Sequence, residues 1–169
     1  NGLYQLPRAS QRPLRACDNG LEMARTAEIT AIVVATLNLV VAAGGGWAWW
    51  RGETPQRLWW AWRVAQVSTT ALAIVAAVAV VTGYDPVDQL FWLYLLLPMV
   101  VSIVAEQLRI AAAQTVLDQR DLADAEAVGL LPVAEQNAIV HAIVTREIGI
   151  IALAAVVIAF LALRVLMTV

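Results

Sequence analysis

The sequence predicts an all-α integral membrane protein: a four-transmembrane-helix bundle, up-down-up-down, with helices 3 and 4 extended as a cytoplasmic helical hairpin. Three observations carry that reading. First, 61% of residues are hydrophobic and 14% charged, with a mean hydropathy of +0.73, whereas soluble domains average about half apolar and a quarter charged. Second, four apolar runs are each long enough, at about 1.5 Å per helical residue, to cross a hydrocarbon core of about 30 Å. Third, residues 47–63 hold six of the seven tryptophans together with Arg51, Arg57 and Arg63. Indole rings combine an apolar body with one N–H donor and settle at headgroup depth, so Trp47, Trp49, Trp50, Trp59, Trp60 and Trp62 read as interfacial anchors.

Residues 1–27 are expected to form a poorly ordered tail, because Pro7, Pro13, Arg8, Arg12 and Arg15 interrupt any apolar period. Met23-Ala-Arg-Thr has the form of an ordinary start, so residues 1–22 are read as an upstream extension that N-terminal sequencing of natural protein would test. Cys17 is the only cysteine and can form no intrachain disulfide. A single four-helix domain is then expected over residues 28–169.

The first span covers about 28–50. Asn38 falls near its middle, where an unpaired amide is costly, so it is expected to hydrogen-bond to a neighbouring helix. Gly44 to Gly46 permit either close helix approach or fraying before the tryptophans. A turn centred on Gly52 and Pro55 leads to the second span, about 62–83, with a polar first turn at Gln66, Ser68, Thr69 and Thr70. Gly83-Tyr84-Asp85-Pro86 reads as a helix end, with Asp85 capping the next helix, Pro86 at its first position and Asp88 in its acidic first turn. The third span, about 88–109, carries Trp92 and Tyr94 at the opposite interface and Pro98, expected to kink it.

Residues 110–146 form the expected cytoplasmic hairpin. Helix-favouring residues continue to Gln119, acids gather at Asp118, Asp121, Asp124 and Glu126, and Gly129-Leu-Leu-Pro132 breaks the pattern before a helix from Val133 to Met167. That last helix spans the membrane over about 147–167. Ile139, Val140, Ile143 and Val144 form one stripe that Gln136 and Glu147 share, with His141 roughly opposite as an exposed histidine. Ala152, Ala155, Ala159 and Ala162 mark a close-packing edge.

Six arginines flank the side of the Trp-rich turn (Arg51, Arg57, Arg63, Arg109, Arg120, Arg146), against Arg25 and Arg164 plus the tail arginines on the other. The positive-inside rule places both termini outside and the Trp-rich turn and the 110–146 segment in the cytoplasm of a multi-pass protein of the cell membrane.

The chemistry-bearing candidates form one polar cluster: Glu106, Gln107, Arg109, Arg146, Glu147 and Gln66. Charges this close to hydrocarbon are expected to pair, either Arg109 with Glu147 or Glu106 with Arg146, tying helices 3 and 4 together. His141 is the only histidine, so no bis-histidine haem or histidine-built zinc site can form within one chain. The sequence contains no CxxC, Gly-rich phosphate loop, HExxH or G-x-S-x-G elbow. No catalytic residue, cofactor or metal site is therefore expected. The formal net charge of −2 argues against nucleic-acid binding by bulk attraction.

The leading functional expectation is a non-catalytic scaffold or accessory subunit of a larger membrane complex, whose partners are the lipid bilayer and either a protein or a second copy of the chain. Docking is expected through the acidic hairpin or lipid-facing alanine edges. A homo-oligomeric transporter or channel lined by Asn38, Gln66, Ser102 and Glu106 is the alternative, and a membrane enzyme acting on a lipid or quinone is a further one.

Overall fold

The computed structural model describes residues 12–86, 88–122 and 125–168, with side chains described from Leu21 onward except that of Ala125. The described residues are all-helical outside short connections: α1 Arg12–Arg51, α2 Gln56–Val81, α3 Leu90–Asp118, α4 Ala125–Gly129 and α5 Val133–Val165. Four of these are long and apolar enough to cross a membrane: α1 over Leu21–Arg51, α2, α3 and α5. They form a ring in which α1 packs on α2 and α5, and α3 packs on α2 and α5.

Helix α1 departs from the expected tail. Residues 12–27 are helical, and Ala27 and Ala31 are completely buried, because alanines at this spacing let α1 lie close against its neighbours. Residues 1–11 fall outside the described residues. The buried face of α1 continues through Val34, Asn38, Val41 and Ala48, and that of α2 runs Leu58, Trp62, Ala65, Thr69, Leu72, Ala76 and Ala79. Spacings of three and four residues give each helix one inward face and leave the rest to its surroundings.

The core is built from small residues where α1 meets α5. A Cβ placed on Gly45 would lie 3.2 Å from the Cβ of Ala152, so the missing side chain is what allows the two backbones to approach. Gly46, its neighbour in sequence, points about 100° around α1, and a Cβ there would meet nothing within 4 Å. Ala155, Ala159 and Ala162 are buried. The α5 alanines are thus an internal packing edge, as their spacing predicts. Pro98 is buried within α3, which continues as one helix on both sides of it.

Three helix ends share one device. After α1, Glu53 N–H donates to Ala48 O at 3.0 Å and Gly52 N–H to Trp49 O at 3.3 Å. After α2, Tyr84 donates to Ala79 O at 3.0 Å and Gly83 to Val80 O at 3.1 Å. After α3, Leu122 donates to Leu117 O at 3.1 Å and Asp121 to Asp118 O at 3.2 Å. This paired bonding of orphan carbonyls needs a left-handed residue, and the φ values are +66° at Gly52, +70° at Gly83 and +55° at Asp121. Asp121 alone carries a Cβ there, so Asp121→Gly is expected to stabilise the protein by about 0.5–1 kcal/mol. Equilibrium unfolding in mild detergent reads the change, and a loss of stability would refute the assignment.

The start of α3 differs from expectation. Asp88, not Asp85, supplies the cap: its Oδ1 accepts the Leu90 N–H at 2.9 Å. Pro86 is buried before the helix begins at Leu90. Beyond α3, Asp124 is outside the described residues, and Gln136 closes the α4–α5 connection by donating to Leu131 O at 2.8 Å and Gly129 O at 3.2 Å.

Candidate functional site

The polar side chains converge at the end of the bundle that carries the α1–α2 turn. Glu106 of α3 is the hub. Its Oε1 accepts from Trp62 Nε1 at 3.0 Å and from Gln66 Nε2, and its Oε2 accepts from Arg109 Nη1 at 2.8 Å. Arg63 Nη1 stands 3.9 Å from Oε1 and donates to Gln66 Oε1 at 3.0 Å. Arg109 also reaches α5, with Nη2 3.7 Å from Glu147 Oε2. Its guanidinium lies 4.6 Å from the Trp59 ring centroid, a cation–π arrangement that favours a partly desolvated cation.

The helices explain the convergence. Trp62 and Arg63 each lie three or four residues from both Trp59 and Gln66, so one flank of α2 presents the four together. Glu106 and Arg109 are i, i+3 on α3. The side chains of Arg109 and Glu147 are only 13% and 17% exposed, so this ion pair is shielded from the solvent that weakens surface pairs. Two carboxylates face two guanidiniums, and the cluster is formally neutral. Arg109 Nε is buried with no acceptor among the described residues.

Of the sequence candidates, Glu106, Arg109, Glu147 and Gln66 come together and two do not. Arg146 turns away and donates to Gln119 Oε1 at 3.1 Å; one residue before Glu147, it points about 100° around α5 from it. Gln107 is exposed, on the outer side of α3. Arg109 with Glu147 is the pair that forms; Glu106 with Arg146 is not.

Two tryptophans expected as interfacial anchors belong to the cluster. Trp62 is 1% exposed and spends its N–H on Glu106, and Trp59 is the partly buried floor beneath Arg109. The period of the α2 buried face, Leu58–Trp62–Ala65, carries the signal that would have assigned Trp62 inward. Trp47, Trp49, Trp50 and Trp60 keep outward exposure. Trp92 is partly buried at the other end, edge-on to Phe91 with ring centroids 5.4 Å apart.

Asn38 is completely buried, but its amide serves its own helix: Nδ2 donates to Val34 O at 2.9 Å. The expected bond to a neighbouring helix is absent, and Oδ1 has no partner among the described residues. His141 is exposed, yet not idle. Its Nε2 lies 3.1 Å from Gly52 O and its Nδ1 3.3 Å from Thr145 Oγ1, so it joins α5 to the α1–α2 turn.

Chemically, both Glu106 oxygens accept from the cluster, Oε1 from Trp62 and Gln66 and Oε2 from Arg109, which ties the carboxylate to its neighbours on α2 and α3. No group of three or more potential metal ligands occurs among the described residues. Compared with protein-family models, curated proteins and solved structures, the chain matches none.

Proposed function

We propose that the chain is a multi-pass membrane protein acting as a non-catalytic scaffold or accessory subunit of a larger membrane complex. In this reading α1, α2, α3 and α5 run up-down-up-down through the bilayer, with both termini outside. The 29 residues of α3 and 33 of α5 correspond to about 43 and 50 Å of helix, well beyond a core of about 30 Å. Their excess forms the hairpin over 110–146, on the cytoplasmic side with the Trp-rich turn.

The observation that carries the reading is a closed apolar centre beneath a paired polar clamp. At mid-helix Asn38 and Thr69 are 0% and 2% exposed, and each donates to a carbonyl of its own helix. A transport path needs water-accessible polar groups through the whole bilayer. A path between copies of the chain fares no better, because outward faces are apolar, as at Val33, Val40, Ile74, Val100 and Phe160. The tip of the hairpin, by contrast, exposes Leu130 and Val133 at 86% and 71%, apolar side chains close in sequence to the acidic Asp118, Asp121 and Glu126.

Two experiments test this. For topology, Glu53→Cys and Asp85→Cys are made in a Cys17→Ser background and treated with a membrane-impermeant maleimide. Asp85→Cys is expected to react in intact cells and Glu53→Cys only after permeabilisation; the reverse pattern inverts the protein. For function, a photo-crosslinking residue at position 130 or 133 in native membranes is expected to join the chain to one protein in stoichiometric amount, confirmed by detergent purification without overexpression. Solute flux through liposomes holding only this chain would refute the scaffold reading.

A further inference from the structure

A second feature lies on the outer side of α5, away from the Glu106 cluster. A cavity of about 640 Å³ is lined by residues of α1, α3 and α5, among them Gly46, Trp49, Gly149, Ala152 and Val156, with Arg146 at its end. That volume is in the range of sites that hold small molecules. Its walls owe their depth to missing side chains: the Trp49 indole nitrogen would lie 3.4 Å from a Cβ on Gly149, so the ring lies over bare backbone.

The polar groups gather at one end only. No carboxylate among the described residues lies within ion-pair distance of Arg146, whose neighbour Glu147 is committed to Arg109. Gln119 Oε1 accepts one of its N–H groups, which leaves most of a five-donor guanidinium free while holding it in place. Trp49 Nε1 likewise has no acceptor among the described residues. From Arg146 to Val156 the helix rises about 15 Å, the depth of one leaflet of a hydrocarbon core of about 30 Å.

We propose that this groove binds an anionic phospholipid of the leaflet on the arginine-rich side, with its phosphate at Arg146 and the Trp49 N–H and one acyl chain along Gly46, Gly149, Ala152 and Val156. This rests on the membrane-spanning reading above. A guanidinium at headgroup depth selects negative charge, because charge-assisted bonds to phosphate add to attraction of the net headgroup charge. The apolar floor selects a chain over a soluble anion. A protein partner seated in the groove would instead have to present an acidic side chain at Arg146 together with an apolar surface along the groove floor, two features that one anionic lipid supplies by itself.

Native mass spectrometry of the full chain in mild detergent, with phosphatidylglycerol and phosphatidylcholine of identical acyl chains, tests the site. One phosphatidylglycerol per chain is expected to be retained about tenfold or more over phosphatidylcholine. Arg146→Gln should abolish that preference and Arg146→Lys keep part of it, while Leu153→Trp, at a 68% exposed position on the groove wall, should reduce retention of both lipids. Equal retention of the two lipids by the unaltered protein, or an unchanged preference in Arg146→Gln, overturns the site and leaves the spanning reading in place. Release of the chain from membranes by alkaline carbonate without detergent overturns both.

Discussion

Arg109→Met is expected to lower stability in mild detergent by about 3 kcal/mol, the usual cost of removing one partner from a buried ion pair. The guanidinium is shared by Glu106 and Glu147, at 2.8 and 3.7 Å, and its loss leaves two carboxylates facing each other with only the exposed Arg63, 3.9 Å from Glu106, to balance them. Met keeps the unbranched apolar stem and removes the guanidinium, and with it the stacking on Trp59, so most of the loss is expected to be electrostatic. Combining Arg109→Met with Glu106→Gln and Glu147→Gln should restore most of it, because the penalty comes from uncompensated charge. Unfolding by titration with a denaturing detergent, followed by circular dichroism, measures both. A single variant within about 0.5 kcal/mol of the parent would show the cluster to be solvated and dispensable.

Gly45→Val and Gly46→Val should part company although the two glycines are adjacent. At position 45 the first added carbon already meets Ala152 at 3.2 Å and the branched methyls have nowhere to go, whereas position 46 opens on free space. Forcing α1 and α5 apart is expected to cost about 1–3 kcal/mol at position 45 and close to nothing at position 46. The contrast controls for the loss of glycine flexibility and for β-branching, which the two variants share. Equal effects, read in the same unfolding assay, would mean that the α1–α5 approach is not set by Gly45.

Much of the architecture was legible in the sequence because it depends on local quantities. Apolar run length, the tryptophans, and Gly52 and Gly83 gave the membrane-length helices and two of their ends. The third end was hidden, since Asp121 gives no glycine-like sign of a left-handed residue. The start of α3 was misplaced because Asp85 and Asp88 are equally good caps in sequence, and only the path of the chain before Leu90 decides between them. The start of α1 was missed for a related reason: prolines and arginines argue for irregular structure, but the helix begins at Arg12 and buried Ala27 packs before the predicted span.

The candidate site was half legible. Charges next to an apolar run had to be neutralised somewhere, which singled out Glu106, Arg109 and Glu147 before any geometry was known. The sequence could not say that Trp62 and Trp59 were their partners, because tryptophan serves equally as an interfacial ring and as a buried donor. Arg146 and Glu147 are neighbours in sequence and diverge by about 100° on the helix, so one joined the clamp and the other was left at the rim of a groove.

By itself, the sequence determined the helical class, the number of membrane-length helices and the residues that had to find electrostatic partners, since all follow from solvation costs counted along the chain. Only the tertiary structure decided which partners those were, which glycine carries the helix contact, and that Asn38 would turn back on its own backbone. Those outcomes depend on the distances between helices, and these are fixed by side-chain volumes meeting across the bundle, at separations in sequence over which no periodicity in the chain carries information.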